Sequence, residues 1–247
     1  MTTEACWWSS WREIDDVVIL HVELTPDAGR ETRALVLLDD EEKQRWQRFL
    51  AKRARCEFAL CRAALRVALC ERLGCLNHQL SFGYLEHGKP FAKVDGERAT
   101  AGFNVSHSGR HGLIALADND WLGIDVEERI PRQDLDGIGS LVYSPAEQRL
   151  LAAASESQKM NLFFRMWSLK EALIKALGSG FALNPARFEV PAPILQGIRS
   201  AVFRFPHAPT NAWRLLDLGE TRFAAALAYR LPSGVPPAAG NPDQRTL

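Results

Sequence analysis

With 247 residues the chain can bury a substantial core, as one large domain or two small ones. Its 47% hydrophobic and 24% charged residues are ordinary for a soluble globular protein, and 30 Lys+Arg against 30 Asp+Glu leave no global field to draw it to nucleic acid or to a membrane. The five cysteines, Cys6, Cys56, Cys61, Cys70 and Cys75, are odd in number and lack Cys-x-x-Cys spacing, so they are expected as small buried residues of a reduced cytosol rather than as a disulfide framework or a zinc site.

The N-terminal stretch carries Glu4, Glu13, Asp15 and Asp16 and no apolar core of a signal peptide, and nowhere do apolar residues run for the ~18–20 positions that cross a bilayer. A cytoplasmic location is therefore expected. The first strand is predicted at Val17–Val22 from its β-branched apolar run. Asp39 and Asp40 then offer a helix cap, followed by Glu41 and Glu42 in the favourable first turn. The helical pattern runs to Leu73, with Trp46, Phe49, Leu50, Phe58, Leu65, Ala68 and Leu69 on its inner side, a break near Ala51–Ala54 and a stop at Gly74. Basic charge collects on this region (Lys43, Arg45, Arg48, Lys52, Arg53, Arg55, Arg62 and Arg66, against Glu57), which reads as a solvated face from which one or two residues meet phosphate.

Short strands are predicted around Leu80–Leu85 and Phe91–Val94, separated by a turn at Glu86-His87-Gly88-Lys89-Pro90. A hairpin pairs Gly102–Val105 with Gly112–Ala117, and Trp121–Glu127 forms the next strand. Ser144-Pro145-Ala146-Glu147 opens a helix, with Ser at the cap, Pro at the first position and Glu at the third. A further helix over Leu162–Leu177 stops at Gly178, and strands follow at Arg187–Val190, Ala201–Phe205, Trp213–Leu218 and Phe223–Tyr229. The Pro-rich tail from Pro232 is expected to be disordered.

Strand, acid-capped helix, long helix and short strands occur once from Val17 and again from Trp121. This predicts a duplicated α+β subdomain with its junction near Asp118-Asn119-Asp120, where a cleft between the halves would be the natural ligand site.

Asp125 and Glu127 lie two apart on a strand, so both carboxylates leave one face and repel unless a cation joins them. Gly123, just before them, lets something approach closely. Trp167, Glu171 and Lys175 form one stripe of a helix that is otherwise apolar nearly all round. A plain Glu-to-Lys helix pair and an exposed strand face remain open, but charges on such elements are costly without a partner, which favours a Mg²⁺ ion holding a pyrophosphate. Ser106-His107-Ser108 lacks the Gly-x-Ser-x-Gly elbow of a serine hydrolase and reads better as a phosphate contact. No Gly-x-x-x-x-Gly-Lys-[Ser/Thr] loop is present for a nucleoside triphosphate, and the neutral charge counts against an RNA-binding module.

Asn104-Val105-Ser106-His107-Ser108, Gly123-Ile124-Asp125-Val126-Glu127 and Trp167-Ser168-Leu169-Lys170-Glu171-Ala172 with Lys175 resemble the 4′-phosphopantetheinyl transferases of the surfactin-synthetase-activating (Sfp) type, and Gly88-Lys89-Pro90 stands where that family has the same tripeptide. The resemblance implies a pseudo-twofold duplication of a helix-plus-antiparallel-sheet subdomain (1–118 and 119–231, then a tail over 232–247), acting as a monomer with coenzyme A in the cleft. It implies Mg²⁺-dependent transfer of 4′-phosphopantetheine to a serine of an apo acyl or peptidyl carrier protein, with adenosine 3′,5′-bisphosphate released. Asp125, Glu127 and Glu171 would hold Mg²⁺, Lys175 would stabilise developing charge, and Glu171 would be the general base. Coenzyme A contacts would come from Arg53, Lys89, Pro90, Asn104, Ser106, His107 and Lys175. Glu147 has two readings, an acid near the metal with a catalytic part or simply the third residue of a capping box. Glu42 departs from the family, where some relatives carry a basic residue.

Overall fold

Apolar alternation along Val17–Glu23 builds β2, which pairs antiparallel with β1 (Trp8–Ile14) through a turn at Asp15, φ 52°. β1 escapes a pattern reading because Ser9, Ser10, Arg12 and Glu13 break up its apolar positions. The computed structural model describes residues 6–131 and 134–232. They divide between Asp120 and Trp121 into two compact units, each of α+β construction.

In the first unit α1 (Ala28–Leu37) is capped by Asp27, and α2 (Asp40–Arg48) starts with a reciprocal capping box between Asp39 and Glu42. After α2 the chain turns extended at Phe49 and at Ala51 before α3 (Lys52–Leu73), which ends at Gly74 in the left-handed region. Leu50, expected on the inner side, is 98% exposed because it falls in that break. The basic region is not uniformly solvated either. Arg66 is buried, donating from Nη1 to Asp39 Oδ2 and Glu42 Oε2 at 3.0 Å each, and from Nε to Asn77 Oδ1 at 2.8 Å. Glu42 thus serves as both cap and buried counter-ion, which accounts for an acid at that position.

β3 (Leu80–Tyr84), β4 (Pro90–Val94) and β5 (Glu97–Arg98) make a small antiparallel sheet. β6 (Gly102–Ser108) and β7 (His111–Ala117) form the predicted hairpin and join the larger sheet in the order β1-β2-β7-β6. α3 packs against β2 and β7, burying Leu60, Ala64, Val22 and Ile114 in one core. Cys56 and Cys61 belong to it, whereas Cys6 is exposed and Cys70 and Cys75 are half-buried.

The second unit opens with β8 (Leu122–Glu128), then α4 (Leu135–Val142), α5 (Pro145–Ala153), α6 (Glu156–Leu177) and a short α7 (Ala192–Leu195). β9 (Ser200–Phe205), β10 (Ala208–Asp217) and β11 (Phe223–Arg230) complete an antiparallel sheet in the order β8-β11-β10-β9. α6 lies across β8 and β11 and begins six residues before its predicted start, its first turns being polar. The strand predicted at Arg187–Val190 is not formed. Pro185–Arg187 is a 3-10 turn, and the carbonyls of Pro185 and Phe188 accept from Lys170 Nζ instead of from a neighbouring strand. The predicted tail lies, beyond Pro232, outside the described residues. Among the described residues no helix is long and apolar enough to cross a membrane.

Candidate functional site

β8 is buried from Leu122 to Val126, so Asp125 is a carboxylate only 3% exposed, and Glu127 beside it is half-buried. What approaches Gly123 is the backbone of α6, where a β-carbon would collide with Ala172 O and Ala176 N. That close contact brings the stripe Trp167, Glu171, Lys175 over the strand. Lys175 Nζ donates to Asp125 Oδ1 at 2.7 Å and to Ile124 O at 3.3 Å, and Trp167 Nε1 donates to Glu127 Oε1 at 3.0 Å. Between them Glu171 is half-buried, and burial raises its carboxyl above the ordinary range. Lys175 opposes that rise, while the charges of Asp125 and Glu127 add to it, so the three acids act on one another.

An oxygen-only, carboxylate-rich donor set of this kind suits Mg²⁺, and a divalent cation relieves both the burial of Asp125 and the repulsion felt by Glu171. With Asp125 held by Lys175 and Glu127 by Trp167, however, no three His, Cys, Asp or Glu side chains among the described residues close into a metal cage. The donors fit the ion; Asp125 Oδ1 is engaged by Lys175 and Glu127 Oε1 by Trp167.

Glu147 is 2% exposed, and its contacts are structural in kind. Its Oε2 accepts from Ser144 N at 2.9 Å and meets Lys170 Nζ at 2.7 Å, and its Oε1 accepts from Val190 N at 2.8 Å. The capping box is therefore present, and it also ties α5 to α6 and to the segment after it.

The remaining candidates belong to the first unit. Lys89 Nζ donates to Asp120 O at 2.6 Å, and burial pulls its ammonium down from 10.5 to about 8, against the opposing charge of Asp120. Pro90 opens β4, opposite Tyr84. Asn104 and Ser106 are buried on β6, while His107 between Ser106 and Ser108 is exposed. Consecutive strand residues leave opposite faces, so the Ser106-His107 pair has no hydrolase geometry. His107 Nδ1 lies 3.7 Å from Glu57 Oε2, and Arg53 Nε donates to Glu57 Oε1 at 2.8 Å. Sequence reasoning named Glu57 but missed its pairing with Arg53 and His107, and it missed the Trp167–Glu127 bond. The first had a signal, as the single acid in the run Lys52–Arg66; the second, joining distant elements, had none.

The sequence profile of the 4′-phosphopantetheinyl transferase superfamily matches residues 122–228, and that of the 4′-phosphopantetheinyl transferase N-terminal region matches residues 24–119. A putative 4′-phosphopantetheinyl transferase of Synechocystis is 36% identical over 146 residues, the alignment covering 59% of each chain. The 4′-phosphopantetheinyl transferase HetI of Nostoc is 34% identical over 171 residues, 68% of this chain and 71% of HetI. Sfp of Bacillus subtilis is 28% identical over 158 residues, 64% of this chain and 68% of Sfp. Matched in both of its units and across more than two thirds of HetI, the chain belongs to the 4′-phosphopantetheinyl transferase superfamily.

Proposed function

We propose that the protein transfers 4′-phosphopantetheine from coenzyme A to a serine hydroxyl of an apo acyl or peptidyl carrier protein, and that it is an enzyme of the Sfp type. The observation that carries this reading is the group formed by Asp125, Glu127, Glu171 and Lys175 on β8 and α6, in a chain whose family is that of the transferases. Asp125, Glu127 and Glu171 would hold Mg²⁺, which supplies charge neutralisation and Lewis acidity at the diphosphate.

The residues of the chain do the rest. The serine Oγ bonds to the phosphorus that carries the pantetheine arm, the P–O bond to the adenosine half breaks, and adenosine 3′,5′-bisphosphate leaves. Glu171 accepts the serine proton; a carboxylate made more basic by burial is suited to that task near neutral pH. Lys175 brings a positive charge to the departing phosphate oxygen once it exchanges Asp125 for the substrate. Trp167 holds Glu127 in place through its indole N–H. Lys89, Pro90, Asn104, Ser106, His107 and Arg53 are assigned to coenzyme A, with Lys89, His107 and Arg53 at phosphate. Glu147 is assigned to holding α6 rather than to the reaction.

Intact-mass analysis tests the proposal. With coenzyme A and Mg²⁺, a panel of apo acyl and peptidyl carrier proteins should include members that gain about 340 Da, the mass of the phosphopantetheine group. A panel that gains no such mass overturns it.

A further inference from the structure

The end of α3 sets two thiols against each other. Gly74 turns the chain back in the left-handed region, and the Cys70 carbonyl accepts from both Gly74 N and, at 3.1 Å, Cys75 N. A helix that ends this way brings the side chain just past the left-handed position onto a side chain of its last turn. Here both are cysteines, and their thiols share a hydrogen bond. The main-chain bond between the same two residues keeps their α-carbons close, as a disulfide requires. The spacing Cys-x-x-x-x-Cys carries no such signal in the sequence, because it is the turn at Gly74 that joins its ends.

The cysteines differ in reach. Cys56 and Cys61 are buried in the core, where burial pushes the Cys61 thiol up to about 12 and the Cys56 thiol above its ordinary value. Such thiols are inert toward reagents in water. Cys70 and Cys75 are half-buried, held against the core yet open to a small reagent. No third His, Cys, Asp or Glu among the described residues completes a metal cage with them.

Their chemistry is unequal too. Burial first, then the bond to Cys75, raises the Cys70 thiol to about 11; Glu71 adds to the rise and Arg66 opposes it. Cys70 therefore keeps its proton and turns it toward the Cys75 sulfur. That divides the roles: Cys75 meets an oxidant, and Cys70 resolves the adduct.

We propose that Cys70 and Cys75 form a reversible disulfide across the C-terminal turn of α3, with a small-molecule disulfide such as oxidised glutathione as the oxidant. The Cys75 thiolate attacks one sulfur of the oxidant, whose S–S bond breaks and releases one glutathione thiolate. Cys70 then gives up its proton, its sulfur attacks Cys75 Sγ, and the mixed disulfide releases the second glutathione. Two protein thiols are oxidised and one disulfide is reduced to two thiols, so two electrons and two protons change hands. The bond pins the exit of α3, and with it the segment in which Asn77 accepts from Arg66 Nε at 2.8 Å and donates to Leu37 O at 2.9 Å.

Equilibration of the full chain with mixtures of reduced and oxidised glutathione, then acid quenching, alkylation and tryptic mapping by mass spectrometry, tests the bond. Trypsin cuts after Arg72, so the bond joins the peptide Val67–Arg72 to the one that begins at Leu73. That linked pair should vanish on reduction and should outnumber any link to Cys56 or Cys61 by about tenfold or more. Cys70→Ser should halt at the mixed disulfide on Cys75. Cys75→Ser should form its adduct at least about tenfold more slowly, since burial still holds the proton on Cys70. Exposed Cys6 should take up glutathione in every sample, which shows that the oxidant is active. A native chain with Cys6 modified and the Cys70–Cys75 link missing overturns the proposal, as does equal linking to Cys56 or Cys61. Equal adduct rates in the two variants overturn the division of roles. Neither coenzyme A nor a carrier protein enters, so the result is separate from that of the transfer assay.

Discussion

Glu147 and Lys170 form an ion pair at 2.7 Å with side chains 2% and 1% exposed, closed on all sides by Ser144 N, Val190 N and the carbonyls of Pro185 and Phe188. Burial depresses the Lys170 ammonium, and Glu147 pulls it back up. Removing one member leaves the other charged and dry, so Glu147→Ala should cost about 3–5 kcal/mol of stability. The pair Glu147→Leu with Lys170→Met should recover much of that in urea denaturation. If Glu147 only positions α6, the folded fraction of Glu147→Gln transfers at close to the wild-type rate. A drop of a hundredfold or more in kcat with the fold intact would return Glu147 to the reacting groups.

Gly123 makes a second, sharper demand on the same helix. A methyl group there collides with backbone, Ala172 O and Ala176 N, which cannot rotate away as a side chain can. Gly123→Ala should therefore push α6 off β8, destabilise the protein by about 1–3 kcal/mol or more, and separate Lys175 from Asp125. Activity should fall further than stability explains. Wild-type kcat/KM in a variant measured well below its melting temperature would show that the close approach is dispensable.

How far this was legible in the sequence depends on range. Asp125, Glu127 and the Trp167-Glu171-Lys175 stripe were found on β8 and α6 because charges on apolar elements stand out against a simple period. The caps at Asp39 and Ser144 were legible because their chemistry is local. α1 and α4 were missed, being short and without a long apolar stripe. The apolar residues of Arg187–Val190 suggest a strand, but the Phe188 carbonyl and the Val190 amide are claimed by Lys170 and Glu147 from another part of the chain. Leu50 and Arg66 exchanged their expected places for the same reason. A helix break and two distant acids decided their burial, and neither registers in periodicity.

Asp125→Asn, Glu171→Gln and Lys175→Met should each lower kcat about 10²–10³-fold or more, the scale of losing one group that meets developing charge. Chelation with EDTA should abolish transfer and excess Mg²⁺ should restore it. Lys175→Met should differ from the acid variants by binding Mg²⁺ at least as well as wild type, because Asp125 is then released. A Lys175→Met protein with weaker Mg²⁺ binding would contradict that view of how Lys175 and the ion share Asp125.

Lys89 should behave as an unusually acidic lysine, its ammonium pulled by burial to about 8 against an ordinary 10.5. Its folded value lies below its unfolded one, so the unfolded chain holds more protons between these limits and stability rises with pH from about 8 to 10.5. Below that window the cost of burying the ammonium is present in full; above it the cost is gone. Lys89→Met should accordingly flatten the rise and stabilise the protein at pH 7, allowing for the lost bond to Asp120 O. At pH 8 about half of the Lys89 amines are unprotonated, against well under about 1% for an ordinary lysine, so Lys89 should be acylated first in competitive labelling read by mass spectrometry. A phosphate brought to it by coenzyme A favours the ammonium and should slow that labelling. Labelling no faster than that of exposed Lys52 would show that the burial of Lys89 does not depress its ammonium as argued.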